Sequence, residues 1–261
     1  MSNYYFSSSA LPAIEVGVKP TISFLEVKGL LKLNISARDY QKSVIVRRLI
    51  DIENLRALWK GESFDHRGNY TAKQLEEVLV TQEGLAEYVF DFLDKYTTTE
   101  ERLKNFAALM SNFFTEEIAK SEGFLKKYLI FEREWRLVLL GFRAKALGRD
   151  VIAELQYEDP DDDIIAQIIA QKDAKSYEPP DGYEDFKSVF YEKYEDPIRL
   201  HKEVCVYRFN RIEEMLFGQR FSISRIIGYM VQLIIVERWQ ELDKNKGNDV
   251  VNTIVKAIKL S

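Results

Sequence analysis

The sequence predicts an all-α protein of long antiparallel helices arranged in repeated helical-bundle units. Three observations predict it. Apolar residues recur at spacings of three and four along most segments, no proline occurs between Pro20 and Pro160, and β-branched residues fall at helical positions. A stripe with a period near 3.6 belongs to a helix packed on one face. Proline inside a helix would remove a hydrogen bond and clash with the preceding turn, so long helices need such proline-free stretches.

The clearest element runs from Ser36 to Gly61, SARDYQKSVIVRRLIDIENLRALWKG. Ser36 is a good N-cap, and Asp39 three residues on has capping-box spacing. Ile45, Leu49, Ile52 and Leu55 form its stripe, widened by Val46 and Ile50. Gly61 ends it, because glycine takes a positive φ without steric cost. This ending returns. Asn54-Leu55-Arg56 to Gly61 lines up with Glu134-Trp135-Arg136 to Gly141 and with Arg211-Ile212-Glu213 to Gly218. Each has a polar, an apolar and a charged residue, then glycine seven residues after the first. Three glycine-closed helices are therefore expected.

The remaining elements follow in order. Residues 1–20 contain Pro12, Pro20 and Gly17 with Tyr4, Tyr5, Phe6 and Leu11, and read as an extended arm lying on a helical surface. A shorter helix follows from Thr21 to Asn34, weakened at Gly29. After the long helix, ESFDHRGNY is a loop, and Thr71 with Gln74 caps the next helix. Gly84 interrupts before LAEYVFDFLDKY. Glu100 to Ser121 is one helix with Leu103, Phe106, Leu109, Met110, Phe113 and Phe114 on one side, and Gly123 marks a break before a helix reaching Gly148. Asp162 or Asp163 caps IIAQIIAQKDAK. Asp196-Pro197 opens a helix with proline at its first position. Ser222 starts another that Gly247 ends, and Asn248 caps the last. Three consecutive units are expected, at 1–96, 97–175 and 176–261, or alternatively one compact body.

The segment 176–196 has a composition of its own. It contains seven acids and two lysines, so it alone carries a net −5, equal to the excess of the whole chain, 37 basic against 42 acidic residues. Pro179-Pro180 and Gly182 mark it as a linker. Tyr177, Tyr183, Phe186, Phe190, Tyr191 and Tyr194 argue instead that it folds onto the body or offers an aromatic, acidic surface to a partner, the first being favoured because exposed aromatic patches are uncommon.

Composition excludes several functions. At 261 residues, 46% hydrophobic and 30% charged, the chain is a globular protein with a sizeable core. A net charge of −5 argues against a general nucleic-acid binder, which needs a basic surface. No window reaches the length of a membrane span; Ile223–Val236 is the most apolar and is broken by Ser224, Arg225 and Gln232. The N-terminus lacks the basic region of a signal peptide. Cys205 is the single cysteine, which suits a reducing compartment, and a cytoplasmic location is expected.

No catalytic centre is legible. His66 and His201 lie outside Glu-x-x-His and His-x-x-x-His spacings, so a bundle di-iron site is out. Cys205 stands one turn from His201, where a packed thiol is the simpler reading. Asp159, Asp161, Asp162 and Asp163 lack the glycine and distal glutamate of a calcium loop. No glycine-rich phosphate loop or Gly-x-Ser-x-Gly elbow occurs. Neither a cofactor nor a metal is expected. Asp51, Asn54, Arg56, Glu134, Arg136, Arg211 and Glu213, beside the three glycines, are the candidate site residues, either as a partner interface or as caps and i, i+4 pairs on solvated faces.

At this ending the sequence resembles a known family. Asp51-x-x-Asn54-Leu55-Arg56-Ala57-Leu58-x-Lys60-Gly61, closing a long helix, is similar to the signature of the C-type subunit of bacterial and archaeal V/A-type ATPases, whose eukaryotic relative is the d-type subunit of the vacuolar enzyme. NYYF, SALP and TQEGLAEYVFDFL resemble more closely an uncharacterised bacterial family encoded beside V-type ATPase genes. The second and third endings depart from the signature, with Glu134 and Arg211 where the first has Asn54. The resemblance implies an all-helical fold like that of the C-type subunit and a non-catalytic adaptor, peripheral on the inner face of the plasma membrane. Its partners would be the central stalk foot and the membrane rotor ring. A helical scaffold or regulatory protein with an unrelated partner would use the same helices.

Overall fold

The structure, a computed structural model, describes residues 4–174 and 176–259, with side chains as far as residue 242. In chain order the helices are α1 (Tyr5–Ser9), α2 (Phe24–Asn34), α3 (Ala37–Lys60), α4 (Ala72–Thr81), α5 (Glu87–Lys95), α6 (Thr99–Lys104) and α7 (Phe106–Lys120). They continue as α8 (Gly123–Ala146), α9 (Val151–Glu154), α10 (Asp163–Ala170), α11 (Asp185–Lys193), α12 (Pro197–Met215) and α13 (Ile223–Lys259). No strand occurs among the described residues. The fold is all-α. None of the helices, among the described residues, is long and apolar enough to cross a membrane.

Most helix starts follow their sequence signals. Asp39 donates its backbone N–H to Ser36 Oγ, 3.1 Å away, at the start of α3. Thr71 and Gln74 complete a reciprocal capping box on α4. Asp162 accepts from Ile164 N–H, and Asp196 accepts from the N–H groups of Ile198 and Arg199 behind Pro197. Such bonds satisfy donors that a helix start leaves without an intrahelical partner.

Five local expectations are corrected. The arm at the N-terminus contains the short helix α1 rather than being extended throughout. Helix α2 starts behind Ser23, not Thr21, because Ser23 and Glu26 form the capping box. The expected helix from Glu100 to Ser121 is broken at Asn105 into α6 and α7. Gly247 does not stop a helix and Asn248 does not start one, since α13 runs unbroken from Ile223 to Lys259. A glycine inside a helix costs only about 1 kcal/mol, less than a break would lose in hydrogen bonds. Gly141 closes nothing: it lies inside α8, whose end is marked by Gly148 at φ +64°.

The chain divides into two compact units rather than three consecutive ones. One combines 1–40 with 189–261, and the other is 41–188. The expected boundaries after 96 and 175 do not coincide with these. The first unit joins both ends of the chain because α2 packs on α13. Phe24, Val27 and Leu31 of α2 are buried there, and the Phe24 N–H donates to Glu237 Oε1 over 2.7 Å. Helices α12 and α13 also pack closely; a Cβ added at Gly228 would stand 2.8 Å from Leu216 Cδ2.

In the second unit α7 and α8 form the central pair, with α5 beside α7 and α10 beside α8. Phe113, Leu129, Trp135, Val138 and Phe142 are buried. The acidic segment folds onto α8: the Tyr177 ring lies 4.8 Å from Phe142 and the Phe186 ring 4.7 Å from Trp135. Tyr177, Tyr183 and Phe186 are buried in this unit; beyond its edge Phe190 is buried too, whereas Tyr191 stays about half exposed. Glu117 is buried in the second unit as a carboxylate that pairs with Arg48 and accepts from Tyr88 Oη at 3.1 Å.

Candidate functional site

Helix α3 presents a stripe of four polar residues, Ser43, Arg47, Asp51 and Asn54, at successive spacings of four, four and three. All four are buried. A buried polar group without partners costs free energy, so this stripe has to be satisfied. The α3–α4 loop does this for Arg47, Asp51 and Asn54. Asn54 Nδ2 donates to the Asp65 carbonyl and Asn54 Oδ1 accepts the Asp65 N–H, each at 2.9 Å. Asp51 Oδ1 accepts from Asn69 N at 2.6 Å and Tyr70 N at 3.3 Å, and its Oδ2 accepts from Asn69 Nδ2 at 2.7 Å. Arg47 donates Nε to the Arg67 carbonyl at 3.0 Å and Nη2 to the Gly68 carbonyl at 2.5 Å.

The loop therefore takes its shape from side chains of α3. Gly68 permits the closest approach, since a Cβ there would stand 2.5 Å from Asp51 Oδ1. Arg67 is buried as well and donates Nε to Asp65 Oδ1 at 2.8 Å. Burial pushes the Asp51 carboxyl up from 3.8 to about 6, against the lowering effects of Asn69, Tyr70 and Arg47. The Gly61 ending has its expected geometry, with φ +66°. Asp51 and Asn54 are thus corrected as interface residues, because their polar atoms are spent inside the protein.

Arg56 faces outward, with its guanidinium 5.3 Å from the centre of the Phe106 ring. The second ending lies in the same unit. Arg136 donates Nη2 to Glu53 Oε1 at 2.7 Å and Nε to Glu132 Oε1 at 3.0 Å, so the first two endings are joined through Glu53. Arg56, Arg136 and Phe106 share a cleft of about 400 Å³ with Arg133, which pairs with Glu158 and Asp162. Glu134 accepts from Tyr183 Oη at 2.9 Å. Gly141 allows Tyr177 to cross α8: an added Cβ would collide with its hydroxyl and stand 2.6 Å from Cζ.

The third ending belongs to the other unit. Arg211 pairs with Glu214 at 3.4 Å. Both oxygens of Glu213 lie 2.7 Å from Arg225 Nη1, and Gln232 Nε2 donates to one of them at 3.1 Å. Gly218 has φ +78° in the turn after α12. The three endings are therefore not equivalent. Only the first holds a loop with buried polar side chains.

Sequence reasoning missed Arg47, Arg67, Gly68 and Asn69 as members of this network. The signal was present as the polar stripe in α3, since Ser43, Arg47, Asp51 and Asn54 keep helical spacing on a helix otherwise sorted by apolar residues.

Among the described residues, no group of three or more His, Cys, Asp or Glu could hold a metal ion. Cys205 is buried with Sγ 3.7 Å from His201 Nε2, and burial raises its thiol pKa, opposite to what a nucleophile needs.

The sequence profile of the family described as "Protein of unknown function (DUF2764)" matches residues 1–261. The chain belongs to this family. Relatives of similar length are found in Chlamydia. An uncharacterized protein of Chlamydia muridarum and another of Chlamydia trachomatis are each 31% identical over 265 residues, covering 99% of this chain and 100% of the relative. One of Chlamydia pneumoniae is 29% identical with the same coverage. No solved structure matches the chain.

Proposed function

We propose that this DUF2764 protein is a non-catalytic adaptor of a V/A-type proton- or sodium-translocating ATPase, linking the central stalk to the membrane rotor ring. The observation that carries this reading is the Asp51-x-x-Asn54 to Gly61 ending of α3, which resembles the signature of the C-type subunit. Its side chains brace a loop instead of forming a reactive centre. Stiffness also supports it. Transmitting torque requires elements that resist bending, and α3 and α8 have 24 residues each while α13 has 37. In this reading the chain is peripheral to the inner face of the plasma membrane. Contacts with the stalk foot and ring are made by exposed residues such as Arg56, while the buried motif keeps the scaffold rigid.

The test is recovery of complexes. A tagged full-length chain, purified from its native cell with the ATPase assembled, is expected to bring down stalk or ring subunits and to hydrolyse no nucleotide. Recovery of a stable partner set without any ATPase subunit would overturn the adaptor and favour a scaffold for another assembly.

A further inference from the structure

The turn joining α12 to α13 carries the most exposed large apolar side chain among the described residues of the first unit. Phe217 is 92% exposed and Phe221 41% exposed. Tyr5, 57% exposed, packs against Phe221 with the rings tilted by 40° and their centres 4.6 Å apart, and the Tyr4 N–H donates to the Phe221 carbonyl at 3.0 Å. The N-terminal arm thus holds the turn in place and extends its aromatic surface. Phe217, Arg220 and Phe221 line a groove of about 830 Å³.

Charge around this groove is unevenly used. Of its charged lining residues, Glu213 pairs with Arg225 and Glu214 pairs with the neighbouring Arg211. Arg220 is exposed and makes no ion pair among the described residues. The turn therefore offers aromatic rings around one uncompensated cation, the residue types enriched at the energetic centres of protein interfaces.

We propose that this turn is a docking surface for a partner protein segment that places an apolar side chain against Phe217 and Phe221 and a carboxylate on Arg220. Two other occupants fit less well. An anionic membrane is held by clusters of several basic residues, and among the charged residues lining this groove only Arg220 is an uncompensated cation. A two-fold pair of this chain centred on the turn would set Arg220 against its own copy. The proposal stands apart from the adaptor reading, since it names the chemistry of the partner segment and not the assembly.

The test places a photo-crosslinking benzoylphenylalanine at 217 in the full-length chain in its native cell. Because Phe217 is almost fully exposed, the substitution spares the core. The expected product is a cross-link to a protein segment in which an apolar residue lies beside Asp or Glu. The same segment, as a synthetic peptide, is expected to bind purified chain at least tenfold more weakly after Phe217→Ser or Arg220→Glu, with Tm unchanged. Reversing the peptide's acid to Arg is expected to restore binding to Arg220→Glu. Cross-links only to lipid, only to a second copy, or to no protein would overturn the proposal, as would peptide binding indifferent to both variants. Sedimentation with anionic vesicles that depends on Phe217 would also overturn it. An acidic, apolar segment from outside the ATPase would support docking and count against the adaptor. ATPase subunits that still bind both variants fully would do the reverse.

Discussion

Asn69 donates its backbone N–H to Asp51 Oδ1 over 2.6 Å, tying the α3–α4 loop to a carboxylate with no exposed surface. A second bond runs from Asn69 Nδ2 to Asp51 Oδ2, and Asn69 Nδ2 also donates to the Val44 carbonyl at 3.0 Å. One loop residue thus bridges two turns of the helix. The motif that distinguishes this sequence is a brace for its own backbone.

Removing the brace should cost stability. Asn54→Ala leaves the part-buried N–H of Asp65 without its partner, while the Asp65 carbonyl keeps the Gly68 N–H at 3.4 Å, and an unsatisfied buried group costs about 1–3 kcal/mol. Urea unfolding is expected to shift by that amount. Amides of residues 65–70 should lose hydrogen-exchange protection before those of α8. An unchanged midpoint and unchanged exchange would show that the loop is held by something else.

Acidity should act through Asp51 in a defined direction. Burial raises its carboxyl from 3.8 to about 6 in the folded protein, outweighing the bonds from Asn69 and Tyr70 and the charge of Arg47. A folded pKa above the unfolded one means that the contribution to stability is fully present below about pH 4. It is lost as pH rises through about 6. The stability difference between wild type and Asp51→Asn is therefore expected to move against wild type between about pH 4 and 7. A flat difference across that window would place the carboxyl's pKa near its ordinary value.

The glycines of the repeated ending should respond by two different mechanisms. At Gly61, with φ +66° and open space around a Cβ, Gly61→Val costs on the order of 1 kcal/mol through backbone strain. At Gly141 the backbone is helical, and Gly141→Ala drives a methyl into Tyr177, an overpacking cost of about 1–3 kcal/mol. Pairing Gly141→Ala with Tyr177→Phe, which removes the clashing hydroxyl, should recover part of the loss. The same second change should do nothing for Gly61→Val. Equal behaviour at the two sites in thermal unfolding would contradict this distinction.

Arg56→Glu should leave the fold intact. Its guanidinium is exposed over Phe106, an arrangement worth roughly 0.5–1 kcal/mol, so Tm should fall only slightly. If the cleft with Arg136 meets an acidic partner surface, the variant should lose co-purifying subunits while its circular dichroism stays that of the wild type. Unfolding of Arg56→Glu would show instead that the first ending is structural throughout.

The sequence by itself determined the helices of this protein, and the reason is local. Apolar spacing, the caps at Ser36, Thr71, Asp162 and Asp196, and the positive φ of Gly61 all depend on residues within a turn or two of one another. Tertiary structure decided what those residues do. Asp51 and Asn54 became buried braces because the loop from Asp65 to Tyr70 returned to α3, and Gly141 became a crossing point because Tyr177 came to lie on it. The joining of the chain's two ends through α2 and α13 was likewise invisible in any local window. Burial and partner identity are properties of segments far apart in the chain, whereas helix formation answers mainly to near neighbours.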